Sequence, residues 1–407
     1  MAGGEKRGGG AGAGALGGAG CGAGAGALAG FAPGAGGPAG LLLPPPVAAT
    51  ALAALLLLAL YRLTACPGLP AFALPPDKGG LPAPTYLLLL PGNASALPPP
   101  YSLHLLPADD RDTLIDVRPF SFRAPGPDAA RACGAGGGDA PLLLVLVHSA
   151  PANADKRRTI RDTWASPAAA PPGRAALDGR LRVLFMLGAV DDAATQRALD
   201  RENQLHGDLV QGSFRDSYRN MTYKHVMALK WAAYRCPGAR YLLKTDDDVF
   251  VNSPELLRFL ARELSPWGAR RLILCVPFPY GYVKRSWRSK WRVSPKEYPG
   301  RLYPRYCAGW AVLYSPDAVF LLYREAQRAP YFWIDDVHVT GTLAARVNLS
   351  QTPLGSLALT QLQMQALVDA APGADPPPYA AHFLFGSPDM LKNDLYKLWD
   401  YVQRGRS

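Results

Sequence analysis

The sequence predicts a layered α/β domain with a largely parallel sheet over residues 141–407. Three observations carry that class. Residues 142–147 (LLLVLV) form a continuous apolar run, the mark of a strand buried on both faces. Residues 182–188 (RVLFMLG) form a second such run, ended by glycine. Strand-like and helix-like periods then alternate, as parallel strands joined by crossovers require.

In order, 142–147 is the first strand and 158–165 reads as the helix after it. The strand 182–188 follows. Residues 222–236 read as a helix with Val226, Leu229 and Ala233 on one side. Residues 241–244 are a short strand that runs straight into Asp246, Asp247 and Asp248. Residues 254–264 are helical, and 271–277 and 306–314 are further strands. Ser315-Pro316 opens a helix over 316–328, and 337–347 is another. A sheet of this kind binds ligands at the carboxyl ends of its strands.

Upstream of 141 the composition changes. The chain has 407 residues, 42 Gly, 40 Pro and a net charge of +11. Residues 1–40 hold 18 of those glycines and three charged side chains, so the head, 1–46, cannot offset its ordering entropy and is expected to be disordered. Its glycines lack a triplet period, which excludes collagen. Residues 47–60 (VAATALAALLLLAL) are uncharged, and extension to Cys66 supplies the ~20 residues a bilayer core demands, with Arg62 placed to snorkel. A transmembrane signal anchor over 47–66 is therefore expected. A cleaved secretory signal is the alternative, disfavoured by its distance from the N-terminus. A buried core helix is disfavoured by Gly- and Pro-rich neighbours. Residues 67–140 read as a Pro- and Gly-rich stem with apolar islands at 87–90 and 103–106.

Three Asn-x-Ser/Thr triplets follow the expected anchor, at Asn93, Asn220 and Asn348. They are compatible with a luminal body, although Asn220 equally suits a helix cap. Six cysteines in 407 residues exclude a miniprotein built on disulfides. Cys133, Cys236, Cys275 and Cys307 would pair in an oxidising lumen. Cys236 with Cys307 is the expected pair, since both lie near the presumed site. No CxxC or Cys/His cluster supports zinc.

Four clusters could carry chemistry. Asp246, Asp247 and Asp248 lie between apolar YLL and VFV, where three carboxylates need a counter-charge; hard oxygens at a strand end suit Mg²⁺ or Mn²⁺ and a diphosphate. An acidic surface turn beside Lys244 is the alternative. Asp335 and Asp336 open a helix, either as capping residues or with one as a general base. Arg157 and Arg161 follow a buried strand and could meet phosphate, or form a solvated helix face. Trp287, Arg288, Lys290 and Trp291 mix aromatic and basic groups, which suits sugar or nucleic acid. The basic balance alone permits nucleic acid, but no nucleic-acid motif is present.

Jointly these residues resemble the β-1,3-glycosyltransferase family that includes β-1,3-galactosyl- and β-1,3-N-acetylglucosaminyltransferases (glycosyltransferase family 31). The blocks stand in family order. They are Arg157-x-x-Ile160-Arg161-x-Thr163-Trp164, then Phe185 to Gly188, then Glu202, Asp208 and the stretch from Phe214 to Lys224. Lys244 to Asn252 carries the acidic triplet, followed by Tyr303-Pro304-x-Tyr306-Cys307-x-Gly309 and Asp335-Asp336-Val337. Trp310-Ala311, Val339-Thr340-Gly341 and Ser213 depart from the pattern.

The resemblance implies a GT-A nucleotide-sugar-binding, Rossmann-like domain on a single N-terminal transmembrane anchor. The expected setting is a type II Golgi membrane protein with a cytoplasmic tail at 1–46. The implied reaction is inverting transfer from a UDP-sugar, galactose favoured, to the 3-hydroxyl of an acceptor glycan on a glycoprotein or glycolipid. Asp336 would be the base, with Asp335 the second choice. Asp248 would bind Mn²⁺ or Mg²⁺, with Asp246 and His382 as further ligands. Asp246 and Asp247 would also hold ribose or hydrated metal, and Arg157, Arg161 and Lys290 would face the donor. N-acetylglucosamine or N-acetylgalactosamine transfer is the nearest alternative. A silent glycan-binding or chaperone-like relative is the alternative of another class.

Overall fold

Twelve strands appear in the computed structural model, which describes residues 86–90, 101–102, 121–124, 126–127, 133, 140–166, 180–371 and 375–404. All of these lie in one unit, Gly79–Ser407. The expected head 1–46, the anchor 47–66 and Asn93 lie outside the described residues. In chain order the strands are β1 Leu87–Leu88, β2 Phe122–Ala124, β3 Leu143–His148, β4 Leu181–Ala189, β5 Leu209–Arg215 and β6 Tyr241–Asp246. Then come β7 Ala269–Arg270, β8 Ile273–Phe278, β9 Gly281–Tyr282, β10 Leu302–Tyr303, β11 Tyr306–Tyr314 and β12 Thr352–Pro353.

Eight of these form one sheet in the order β12-β8-β11-β6-β3-β4-β5-β2. β3, β4, β5 and β6 run parallel to one another, with β3 and most of β4 buried on both faces. β11 runs antiparallel to both β6 and β8, and β2 antiparallel to β5. The sheet is therefore mixed rather than largely parallel. A buried apolar run reveals a strand but not its direction, so β11 was legible as an element and not as a reversal.

Strand alternation sorts the core into two layers. Leu144, Leu146, Leu184, Met186, Leu242, Val312 and Tyr314 face one way, toward the helices Met221–Arg235 and Pro316–Ala326. Val145, Val147, Phe185, Leu187, Leu243 and Leu313 face the other, toward Lys392–Arg404 and Gln361–Val368. Lys244 and Asp246 continue the alternation of Leu242, which aims them at the first layer.

The segment before Pro141 contributes to this body. β2 is an edge strand of the main sheet, β1 pairs with β7, and the Tyr101 ring stacks on Phe320 at 4.7 Å. Among the described residues the disulfides are Cys133–Cys236 and Cys275–Cys307, which corrects the expected Cys236–Cys307 pair. Cys307 lies on β11 beside β8, within reach of Cys275. Cys236 ends the helix Met221–Arg235 and meets a residue of the expected stem. Pairing follows the fold, and sequence order does not reveal it.

Candidate active site

The site is built at the carboxyl ends of β3 and β6. His148 and Asp246 are register partners there, so the residues that follow each strand meet. Ser149 Oγ and Asn153 Nδ2 each donate to Asp247 Oδ2 at 2.8 Å. Lys156 Nζ bridges Asp247 Oδ1 at 3.1 Å and Asp248 Oδ2 at 3.2 Å. Lys244, buried on β6, donates to Asp246 Oδ1 at 2.8 Å and to the Gly309 carbonyl at 2.5 Å. Burial alone would lower the pKa of Lys244. The carboxylates of Asp246, Asp335 and Asp336 reverse this and hold it raised, so it stays charged. Asp246 is itself pushed above the usual carboxylate range by its enclosure, against Lys244 and with Asp335 and Asp248.

The Asp335-Asp336 pair enters from the first helical layer. Asp336–Leu343 winds in wide i→i+5 turns before Ala344–Arg346 resume the α-helix, a local irregularity common at functional sites. Across from it β11 bulges between Cys307 and Val312. The bulge turns the Gly309 N–H onto Asp336 Oδ2 at 3.1 Å. Thr340 Oγ1 accepts from the Cys307 N–H at 2.9 Å and donates to the Asp336 carbonyl, so the unusual Val339-Thr340-Gly341 spacing closes this junction.

The two carboxyls have different surroundings. Asp335 is buried, and His225 Nδ1 lies 3.0 Å from its Oδ2. His225 Nε2 lies 3.2 Å from Tyr314 Oη. Burial lowers the pKa of His225 despite Asp335, and raises that of Tyr314. That assigns a neutral imidazole donating from Nδ1 to Asp335 and accepting from Tyr314. Burial would raise Asp335, but the His225 hydrogen bond and the Lys244 charge prevail and lower it. Asp336 keeps partial exposure to the cleft and is pushed well above the usual range by its enclosure and by the Asp335 charge.

Arg157 and Arg161 do not face the cleft. Arg157 is fully buried, and its donors go to Glu202 at 2.8 and 2.6 Å, Ser149 Oγ at 3.1 Å, and the carbonyls of Ala150 and Pro151. Arg161 pairs with Asp208 and Glu202, each at 2.8 Å, above the Phe185 ring. The hydrogen bonds of both run to protein acceptors, and both lie on the helix face that carries Ile160. Arg157 instead acts through Ser149, whose hydroxyl holds Asp247.

His382 has no hydrogen bond or ion pair with the triplet among the described residues. Its side chain is 76% exposed, and its one ion-pair contact is Glu255 Oε1 at 3.4 Å. Among the described residues no group of three or more His, Cys, Asp and Glu is arranged around a common metal position. Lys290 stands on an exposed loop with its ammonium 4.4 Å over the Trp291 ring. Asn220 is half-buried with its amide donating to the Arg215 carbonyl, and Thr222 of its triplet is buried on Phe332 O. Asn348 is exposed.

Ser149, Asn153, Lys156, His225 and Tyr314 were not singled out in the sequence. For the first three a signal existed: they directly follow the first buried strand, where ligands of such sheets gather. His225 looks like any core residue of an apolar helix face.

The comparisons with known proteins agree with this geometry. The family model described as Galactosyltransferase matches residues 155–354. Beta-1,3-galactosyltransferase 4 of Canis lupus familiaris is 35% identical over 267 residues, covering 56% of this chain and 67% of the relative. Human beta-1,3-galactosyltransferase 5 is 32% identical over 222 residues, covering 53% and 66%. A human acetylgalactosaminyl-O-glycosyl-glycoprotein beta-1,3-N-acetylglucosaminyltransferase is 38% identical over 221 residues, covering 52% and 54%. Among solved structures, a glycosyltransferase involved in the glycosylation of the major capsid of PBCV-1 gives a TM-score of 0.32 at 12% identity, over 63% of this chain and 98% of that one. The order of motifs, the paired carboxyls at the sheet's carboxyl edge and relatives about a third identical over the aligned residues lead to one conclusion: the chain belongs to the galactosyltransferase family.

Proposed function

We propose that this chain is an inverting β-1,3-glycosyltransferase with a GT-A domain. It moves a hexose, galactose first, from a UDP-sugar to the 3-hydroxyl of an acceptor glycan. The observation that carries the reading is the division of labour between Asp335 and Asp336. Asp335 is fixed as an anion by His225. Asp336 is raised, partly exposed, and held by one backbone N–H. A carboxylate of raised pKa is a better base near neutral pH. Asp336 takes the proton of the acceptor hydroxyl as its oxygen attacks the anomeric carbon and the bond to the diphosphate breaks.

A divalent cation fits the donor chemistry of the triplet. Lys156 already draws its ammonium onto Asp247 and Asp248, so this corner favours positive charge. Asp248 and Asp246 each keep one carboxylate oxygen that neither Lys156 nor Lys244 holds, and these two residues would bind Mn²⁺ or Mg²⁺. When bound, the ion supplies charge stabilisation to the departing diphosphate. Asp247, locked by Ser149, Asn153 and Lys156, orients the triplet rather than binding ligand.

The proposed setting is the luminal side of a Golgi membrane, with 47–66 as a type II anchor. Two disulfides and the exposed Asn348 triplet support an oxidising, glycosylating compartment. No helix among the described residues is long and apolar enough to cross a membrane.

A donor screen on the full chain tests the function, with Mn²⁺ present or chelated. UDP-galactose should be turned over with metal and not without. Failure of every UDP-sugar to be transferred or hydrolysed would sink the enzyme reading and leave the silent relative. Preference for UDP-N-acetylglucosamine would keep the mechanism and change the donor.

A further inference from the structure

The segment 284–305, which takes in the loop after β9, the strand β10 and Arg305 beyond it, has no part in the chemistry above. Residues 284–305 carry eight Lys and Arg and one Glu, a net +7 within a chain of +11. Lys284, Arg288, Lys290, Arg292, Lys296, Arg301 and Arg305 are exposed, and none forms an ion pair among the described residues. Arg285 is the exception. It is half-buried and donates to the carbonyls of Val293, Tyr298 and Gly300, which ties the loop into a fixed shape. Glu297 is taken by Arg219 at 2.8 Å.

The same loop exposes large aromatic rings. Trp287 is 75% and Trp291 45% exposed, and Tyr282 of β9 is 74% exposed. Arg288 lies 5.0 Å over Trp287, and Lys290 lies over Trp291. Each cation is stacked on a ring, and neither has an ion-pair partner among the described residues. A surface made to dock a protein would place apolar rings together and exclude charge from its centre. Here rings and charges alternate, which suits a sugar face with an anionic substituent.

The loop borders the reacting position. Trp291 Nε1 donates to Tyr218 Oη at 2.5 Å, and Tyr218 lies in the field of Asp336, Asp335 and Asp246. At the loop's root Gly281 packs on the Tyr306 ring, and Tyr306 also lies in the field of Asp336. An acceptor whose hydroxyl meets Asp336 is therefore within reach of this loop.

We propose that the 284–305 loop recognises an anionic acceptor, a glycan bearing sulfate or carboxylate close to the sugar that is extended. The inference rests on the proposed glycosyl transfer. Seven exposed cations with no ion-pair partner among the described residues concentrate positive potential beside the site, and an acidic substituent relieves their mutual repulsion. The rings hold the sugar and the cations select its charge.

The test uses the full chain in detergent, with aryl β-galactoside, β-N-acetylglucosaminide and α-N-acetylgalactosaminide acceptors. Each is supplied neutral, sulfated and sialylated, so that the two anion sources are separated. A kcat/KM for one anionic form about tenfold or more above the neutral form is expected, falling as salt is raised. The triple variant Arg288→Gln, Arg292→Gln, Lys296→Gln should lose most of that ratio while its thermal midpoint is held. Equal kcat/KM on neutral and anionic acceptors would overturn the inference and leave the transfer reaction intact. A rise in the KM for UDP-sugar with an unchanged acceptor ratio would reassign the loop to the donor and overturn it. Fluorescence polarisation with the labelled glycans decides the matter independently of turnover: selective binding of the anionic forms supports the inference, and equal binding overturns it. Cosedimentation with phosphatidylserine vesicles, abolished in the triple variant and accompanied by no glycan selectivity, would assign the surface to a membrane instead.

Discussion

A β-carbon built on Gly309 would lie 1.7 Å from Oδ1 of Asp336. No rotamer shift at the glycine can relieve this, because the atom in the way is the carboxylate the reaction needs. Gly309→Ala should therefore push Asp336 off its position and lower kcat/KM by about a hundredfold or more, as ~1 Å displacements at reacting atoms do. UDP binding, read by calorimetry, should change little. A variant with normal turnover would show that Asp336 can move without loss, and would remove it as the base.

Asp336 also makes an unusual stability prediction. Its carboxyl binds a proton more tightly folded than unfolded. Its contribution is thus present below the unfolded pKa and is lost as pH rises through the folded value. At neutral pH the ionised group is a burden on the fold. Asp336→Asn should abolish transfer and still melt higher than the parent, by about 2–4 °C for each kcal/mol relieved. The gain should grow between acidic and neutral pH in parallel thermal scans. A melting point that drops at neutral pH would contradict the raised pKa.

The acid limb of the rate profile follows from the same pair. Activity needs Asp336 ionised, so kcat/KM should fall with pH sooner than an ordinary carboxylate would allow. Asp335→Asn removes the neighbouring negative charge, so the limb should move to lower pH. His225→Gln should move it too, by loosening Asp335, with a larger effect on kcat than on donor KM. An unmoved limb in both variants would place the titrating group elsewhere.

Arg157 is predicted to matter for folding and not for donor contact. Removing a fully buried guanidinium leaves Glu202 with Arg161 as its remaining cation and takes the donor from Ser149 Oγ and two carbonyls, and Arg157→Ala should cost about 3 kcal/mol of stability in chemical denaturation. Arg157→Lys cannot reproduce the bonds to Glu202, Ser149 and two carbonyls, and should recover only part of the loss. A stable alanine variant with a raised donor KM would restore the phosphate role.

Much of this was legible in the chain. The strand 306–314 coincides with β11, because its ends are marked by a Pro-rich approach and by Ser315-Pro316. The acidic triplet and the Asp335-Asp336 pair were readable, since carboxylates beside apolar runs are conspicuous. The helix Lys392–Arg404 was missed despite Leu395, Leu398, Trp399 and Val402 at helical spacing, a period the residues did show. Other features lay beyond local sequence. The basic run at 157–161 resembles a solvated face, but Arg157 and Arg161 share the Ile160 side and are paired with Glu202, far along the chain. Cysteine pairing, the β11 reversal and the His225–Asp335 contact depend on which segments become neighbours, which composition does not encode.

The Cys133–Cys236 bond has a mechanical meaning. β2, upstream of it, is an edge strand with one partner and would be peeled by tension from the N-terminal side. The peeling would stop at Cys133, where the pull passes through a covalent link into the end of the helix Met221–Arg235. That helix carries His225 and lies in the layer around Asp335. The disulfide is a strain relief, like the clamp on a cable: a tug on the leading chain is arrested before it can unzip the strands that hold the active carboxyls. In reducing conditions the clamp is released, and the same tug would reach the parallel core.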